Sequence, residues 1–121
     1  MCTVKTITVG DKTVRVADIK TKYIQNIVDA AADCDLIDKI ILFGSSLNSS
    51  CKENSDIDIA VFGNQSKGKA LTSTRYRRFL DRLSAFDDYN QTYDVLYFKT
   101  GRRYKSFILS DIEKGEVLYA R

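Results

Sequence analysis

Asp56 and Asp58 stand one residue apart in the run Asp56-Ile57-Asp58-Ile59-Ala60-Val61-Phe62. In a strand, alternate residues share a face, so the two carboxylates go to one side and Ile57, Ile59 and Val61 to the other. Such a pair lies about 6.6 Å apart along the strand, where two ionised carboxylates repel. A shared divalent cation, which prefers hard oxygen ligands, would relieve that repulsion; a solvated polar strand face is the alternative. Upstream, Gly44-Ser45 ends the apolar run Lys39-Ile40-Ile41-Leu42-Phe43. Glycine lets the backbone approach a ligand closely. Free N–H groups at a following helix start, with the Ser45 hydroxyl, would cradle phosphate oxygens, although a Gly-Ser after a strand also serves as a plain turn. Asp94 is enclosed by Tyr93, Val95, Leu96, Tyr97 and Phe98. A charge in such a segment needs a partner or a solvent-facing strand end. If its strand pairs beside residues 56–62, three carboxylates gather, the set that binds Mg²⁺ in phosphoryl and nucleotidyl transfer.

Other chemistries are excluded by what the chain lacks. It has no His, which removes Ser-His, Cys-His and His-metal sites. Cys2, Cys34 and Cys51 are odd in number and show no CxxC spacing, so neither a disulfide framework nor a zinc site is expected. Cys51 sits in a polar stretch and reads as an ordinary free thiol. The start, Met1-Cys2-Thr3-Val4-Lys5, lacks the features of a signal peptide, and no apolar run approaches the ~18 residues of a membrane span. A reduced, cytoplasmic protein with no membrane contact is expected.

The elements that must position these residues follow from periodicity. The chain's 121 residues, 44% hydrophobic and 29% charged, suit one globular domain. Residues 3–9 and 13–17 alternate around Gly10-Asp11-Lys12 and predict a β-hairpin. Asp18 is placed to cap a helix running to about Asp33, with Ile19, Tyr23, Ile24, Ile27, Val28 and Ala31 on its buried stripe. Core strands are expected at 39–43, 56–62 and 92–98, with a polar basic loop at 64–71. A second helix is expected from about Thr72 to Phe86, bearing the apolar stripe Tyr76, Phe79, Leu80, Leu83 and Phe86. A last helix from about Arg103 to Lys114, capped by Gly115, precedes a short strand at 117–119. Strands alternating with helices give an α/β layered domain.

Charge is unevenly placed. Residues 1–60 carry 7 basic and 9 acidic residues, net −2, whereas residues 61–121 carry 12 and 7, net +5. The basic residues form two clusters, Lys67, Lys69, Arg75, Arg77, Arg78 and Arg82, then Lys99, Arg102, Arg103 and Lys105. Arg75, Arg78 and Arg82 share a helical stripe suited to an acidic or phosphate-bearing partner, or to solvent.

Taken together, Gly44-Ser45, ten residues, then Asp56-Ile57-Asp58, with a single Asp in a later strand, resembles the GS-x10-DxD signature of the minimal nucleotidyltransferases. These belong to the DNA polymerase β nucleotidyltransferase superfamily. The C-terminal Asp111-Ile112-Glu113-Lys114-Gly115-Glu116-Val117-Leu118-Tyr119-Ala120-Arg121 is similar to the usual end of such domains. The resemblance covers about residues 20–121 and leaves residues 1–17 as a hairpin extension without an assigned role. It implies an α/β (α+β) fold, a small mixed β-sheet flanked by helices. It implies that Gly44 and Ser45 contact a nucleoside triphosphate. Asp56, Asp58 and Asp94 would bind Mg²⁺, or Mn²⁺, with Asp94 also activating the acceptor hydroxyl. Relatives often carry Arg and Gly shortly after Gly-Ser, as in GSRARG; this chain has Ser46-Leu47-Asn48-Ser49 and lacks those positive charges.

Many such domains resemble antitoxins paired with a helical HEPN-type toxin, which some modify with AMP on tyrosine. That resemblance implies transfer of a nucleoside monophosphate, AMP from ATP, to a hydroxyl on a partner protein, with no direct nucleic-acid binding. One alternative is a non-catalytic antitoxin or binding module acting by contact. Another is an antibiotic-modifying nucleotidyltransferase, for which 121 residues leave no second domain to hold the drug.

Overall fold

A computed structural model describes residues 2–104 and 107–121. Two strands, β1 (Val4–Val9) and β2 (Lys12–Ala17), form the expected antiparallel hairpin. The turn passes through Gly10 at φ +62°, a left-handed conformation that glycine adopts without a Cβ penalty. The main sheet holds four strands in the order β5-β4-β3-β6: β3 (Ile37–Phe43), β4 (Ile57–Gly63), β5 (Tyr93–Lys99) and β6 (Glu116–Ala120). β3 pairs antiparallel with both β4 and β6, while β4 pairs parallel with β5, so the sheet is mixed.

Two helices cover one face. α1 (Thr21–Ala32) buries Tyr23, Ile24, Ile27, Ala30 and Ala31. They meet Ile40 and Leu42 of β3, Ile57, Ile59 and Val61 of β4, and Tyr97 of β5 in the principal core. A short helix, α2 (Lys67–Leu71), leads into α3 (Thr74–Ala85), which adds Tyr76, Phe79 and Leu83 to that core. The opposite face carries Ile41, Ala60, Phe43, Phe62, Leu96 and Phe98, against Ile112 and Leu109 of α4 (Phe107–Glu113). The alternation read from the sequence therefore divides the sheet's two faces correctly. No helix among the described residues is long and apolar enough to cross a membrane.

Several boundaries differ from expectation. Asp18 does not cap α1. It opens a 3₁₀ turn, Asp18–Lys20, and its carboxylate accepts from the Thr3 N–H at 3.2 Å. The expected loop at 64–71 contains α2, capped by Ser66, whose hydroxyl accepts from the Lys69 N–H. The helix expected from Thr72 begins only at Thr74, because Ser73 is extended and separates α2 from α3. Phe86 ends the helix, 38% exposed, with its ring edge-on to Tyr23. The last helix is described over Phe107–Glu113 and Arg103 does not belong to it, while residues 105–106, including Lys105 of the second basic cluster, lie outside the described residues.

The hairpin is packed into the domain. Val9, Val14 and Val16 join the principal core, and Arg15 pairs with Glu116 of β6 at 2.7 Å. Cys51 is not an exposed loop thiol. It is 2% exposed, packed with Cys2 and Ala17, and burial pushes its thiol pKa up.

Candidate functional site

The site lies at one end of the β3-β4-β5 ladder, on the face that carries α4. Parallel pairing aligns Asp58 of β4 directly with Asp94 of β5, and antiparallel pairing aligns Asp58 with Phe43 of β3. On β4, Asp58 shares its face with Ala60 and Phe62; on β5, Asp94 shares its face with Leu96 and Phe98. The chain leaves β3 through Gly44, at φ +77°, into a 3₁₀ turn, Gly44–Leu47. A Cβ built on Gly44 would lie 2.2 Å from Asp58 Oδ2, so the Gly-Ser turn sits directly on the Asp58 carboxylate. Three of the five sequence-selected residues, Gly44, Asp58 and Asp94, are thus neighbours, and Ser45 follows Gly44 in the same turn.

Asp56 is placed differently from expectation. It precedes β4 instead of lying in it, and its carboxylate accepts a hydrogen bond from the Thr92 hydroxyl. The strand rule therefore does not fix its direction. It flanks the pair from the chain entry to β4, beside the entry to β5, where the Ile57 N–H donates to the Thr92 carbonyl at 3.1 Å. Among the described residues, no three acidic or cysteine side chains converge tightly enough to hold an ion as they stand.

The electrostatics centre on Asp58. Burial, then the negative charges of Asp94 and Asp56, raise its carboxyl above the ordinary value. A bound cation would reverse the last two effects. The donor set is all hard oxygen, with no His and only buried cysteines, which suits Mg²⁺ or Mn²⁺ and not Zn²⁺. By donor chemistry and charge these carboxylates fit a divalent cation. Ser46, next in the turn, is fully buried, and its hydroxyl has no hydrogen-bond partner among the described residues.

A buried polar group beside Asp56 escaped the sequence reading. Lys20 is 1% exposed, yet its ammonium donates to the carbonyls of Glu53 (3.0 Å) and Ser55 (2.7 Å) and to Gln91 Oε1 (2.6 Å). Its position was readable: residue 20 precedes Ile24, Ile27 and Ala31 at helical spacing, on the buried stripe. A polar cleft of about 570 Å³ opens nearby, lined by Asp18, Thr21, Lys22, Glu53, Asp87 and Gln91 among others. Asp56, Asp58 and Asp94 are not among its lining residues. The first basic stripe is partly consumed within the chain, since Arg75 pairs with Asp35 and Arg82 with Asp33.

A family model described as polymerase beta nucleotidyltransferase matches residues 25–121. That span takes in the Gly-Ser turn, all three aspartates and the whole four-stranded sheet, and it omits the N-terminal hairpin. No curated protein matches the sequence. On this match, which extends over most of its length, the chain belongs to the polymerase beta nucleotidyltransferase family, as a minimal nucleotidyltransferase domain.

Proposed function

We propose that the protein transfers a nucleoside monophosphate, AMP from ATP, to a hydroxyl of a partner protein, and that the partner is a HEPN-type toxin which this chain restrains as antitoxin. The observation that carries the chemical part is the side-by-side placement of Asp58 and Asp94 under the Gly44 turn. In this reading the acceptor oxygen bonds to the α-phosphorus, the bond to the bridging oxygen breaks, and pyrophosphate leaves. Gly44 and Ser45 hold the triphosphate through backbone N–H groups and the hydroxyl. Asp94 takes the proton from the attacking hydroxyl. A divalent cation bound by Asp56, Asp58 and Asp94 would neutralise charge building on the phosphates.

One observation favours a second reading, a module that neutralises its partner by contact alone. Asp56 is engaged by Thr92, and no three acidic side chains stand gathered for an ion among the described residues. The two readings separate by experiment. ATP labelled at the α-phosphate is incubated with the protein, Mg²⁺ and a candidate HEPN-type toxin. Label on the toxin with the wild-type chain, lost in Asp58→Asn and Asp94→Asn, supports transfer. Neutralisation by the same two variants without label on the toxin supports contact alone.

A further inference from the structure

We propose that Lys20 is a positioning residue: with Gln91, its buried ammonium fastens the chain entries to β4 and β5 and thereby sets Asp56 beside Asp58 and Asp94. The inference deepens the nucleotidyl-transfer reading and rests on it for the meaning of Asp56.

A buried ammonium must have its donors satisfied to be tolerated. Lys20 places all three: on the Glu53 carbonyl, the Ser55 carbonyl and Gln91 Oε1. Gln91, 4% exposed, continues the network. Its amide nitrogen donates to the Ser55 carbonyl at 2.9 Å and to the Thr92 carbonyl at 2.7 Å. Ser55 and Thr92 are the residues just before Asp56 and β5. Two segments far apart in sequence, 53–56 and 91–92, are therefore joined through one ammonium and one amide. Thr92, held in this way, gives its hydroxyl to Asp56. Burial pulls the Lys20 pKa down, and nearby Cys51, Asp56 and Glu53 oppose that. The same proximity lets the lysine charge offset part of the carboxylate repulsion at the ladder end.

A residue that only filled space there would need no donors, and a methionine would serve. The arrangement instead resembles the hydrogen-bonded supports that orient metal ligands, whose removal costs about 10- to 100-fold in metal affinity.

The full chain is tested in two ways: amide hydrogen exchange at Ile57, whose N–H donates to the Thr92 carbonyl, and titration with Mn²⁺ alone, followed by electron paramagnetic resonance. Lys20→Met should speed Ile57 exchange at least about 10-fold relative to Ile59 and Ile41. It should weaken Mn²⁺ binding about 10- to 100-fold. Gln91→Met removes the acceptor for Lys20 and both amide donors without adding charge, so it should reproduce the two effects. It also decides the matter if Lys20→Met does not fold. Wild-type values for exchange and Mn²⁺ in a folded variant would overturn the proposal. So would a uniform rise in exchange at all three amides with unchanged Mn²⁺ affinity, which marks a lysine that only stabilises the fold. A wild-type chain that binds no Mn²⁺ would count against the nucleotidyl-transfer reading, while Ile57 exchange would still decide whether Lys20 sets the strand entries.

Discussion

The carboxylate of Asp58 occupies the space that a side chain on Gly44 would need. An ideal Cβ there lies 2.2 Å from Asp58 Oδ2 and 3.1 Å from its Cγ, and Gly44 itself is held at φ +77°. Backbone conformation and close approach thus demand glycine independently. Gly44→Ala should destabilise the protein by about 1–3 kcal/mol from the strained backbone and push Asp58 out of line with Asp94. Thermal unfolding checks the first effect. Because the strain is independent of the carboxylate, adding Asp58→Gly should recover only part of the loss; full recovery would show that the collision alone matters.

Asp58 makes stability depend on pH in an unusual direction. Burial, Asp94 and Asp56 raise its pKa above the ordinary value of 3.8. The folded state therefore holds this proton more tightly than the unfolded state does. Stability from this group is then lost as pH rises from the ordinary carboxylate range through the raised folded value. Asp58→Asn should raise the melting temperature at pH 7 in the absence of metal, and the gain should vanish below the ordinary carboxylate range. Melting curves from pH 3 to pH 8 with a chelator test this; a gain that persists unchanged in acid would remove the charge explanation.

Asp94→Asn keeps size and most hydrogen bonding while deleting the charge opposite Asp58. The protein should fold with near-normal stability and still bind nucleotide. Transfer should fall at least ~10²-fold, the lower range for lost general-base assistance. Labelled-ATP transfer and a melting curve on one preparation decide it: normal activity with a lowered melting temperature would make Asp94 structural.

ATP binding should require Mg²⁺ or Mn²⁺, because the site holds carboxylates and no nitrogen ligand from His. Calorimetric titration with and without Mg²⁺ reads this directly. Equal heats in both conditions would remove the carboxylates from the nucleotide site.

Arg78 stands between Arg75 and Arg82 on α3, and among the described residues it alone of the three forms no ion pair. If this face docks the proposed toxin, Arg78→Glu should slow association, the more so at low salt, with stability changed by no more than about 0.5 kcal/mol. Arg82→Glu would also break the pair with Asp33, so it is the poorer probe. An association rate equal to wild type would leave the stripe a solvated face.

Local pattern was enough for most elements. The apolar runs at 56–62 and 92–98 assigned the strands, and alternation along the first assigned the face of Asp58, because a strand's own geometry dictates which residues share a side. The stripe Ile24, Ile27 and Ala31 did the same for α1. The spacing from Gly44-Ser45 to Asp56-Ile57-Asp58 identified the family, since it is carried by short segments whose order along the chain is itself the signal. Tertiary structure alone decided which strands are neighbours. The parallel pairing that sets Asp94 against Asp58 joins residues separated by a loop, two helices and another loop, and no local preference encodes that register. It also decided that Asp56 falls outside β4 and turns to Thr92, and that Gly44 rests on Asp58. Lys20 shows the reason most plainly. Its helical position marks it as buried, but what a buried ammonium bonds to is set by carbonyls brought from 33 and 35 residues away, and an amide from 71, which only the packed chain supplies.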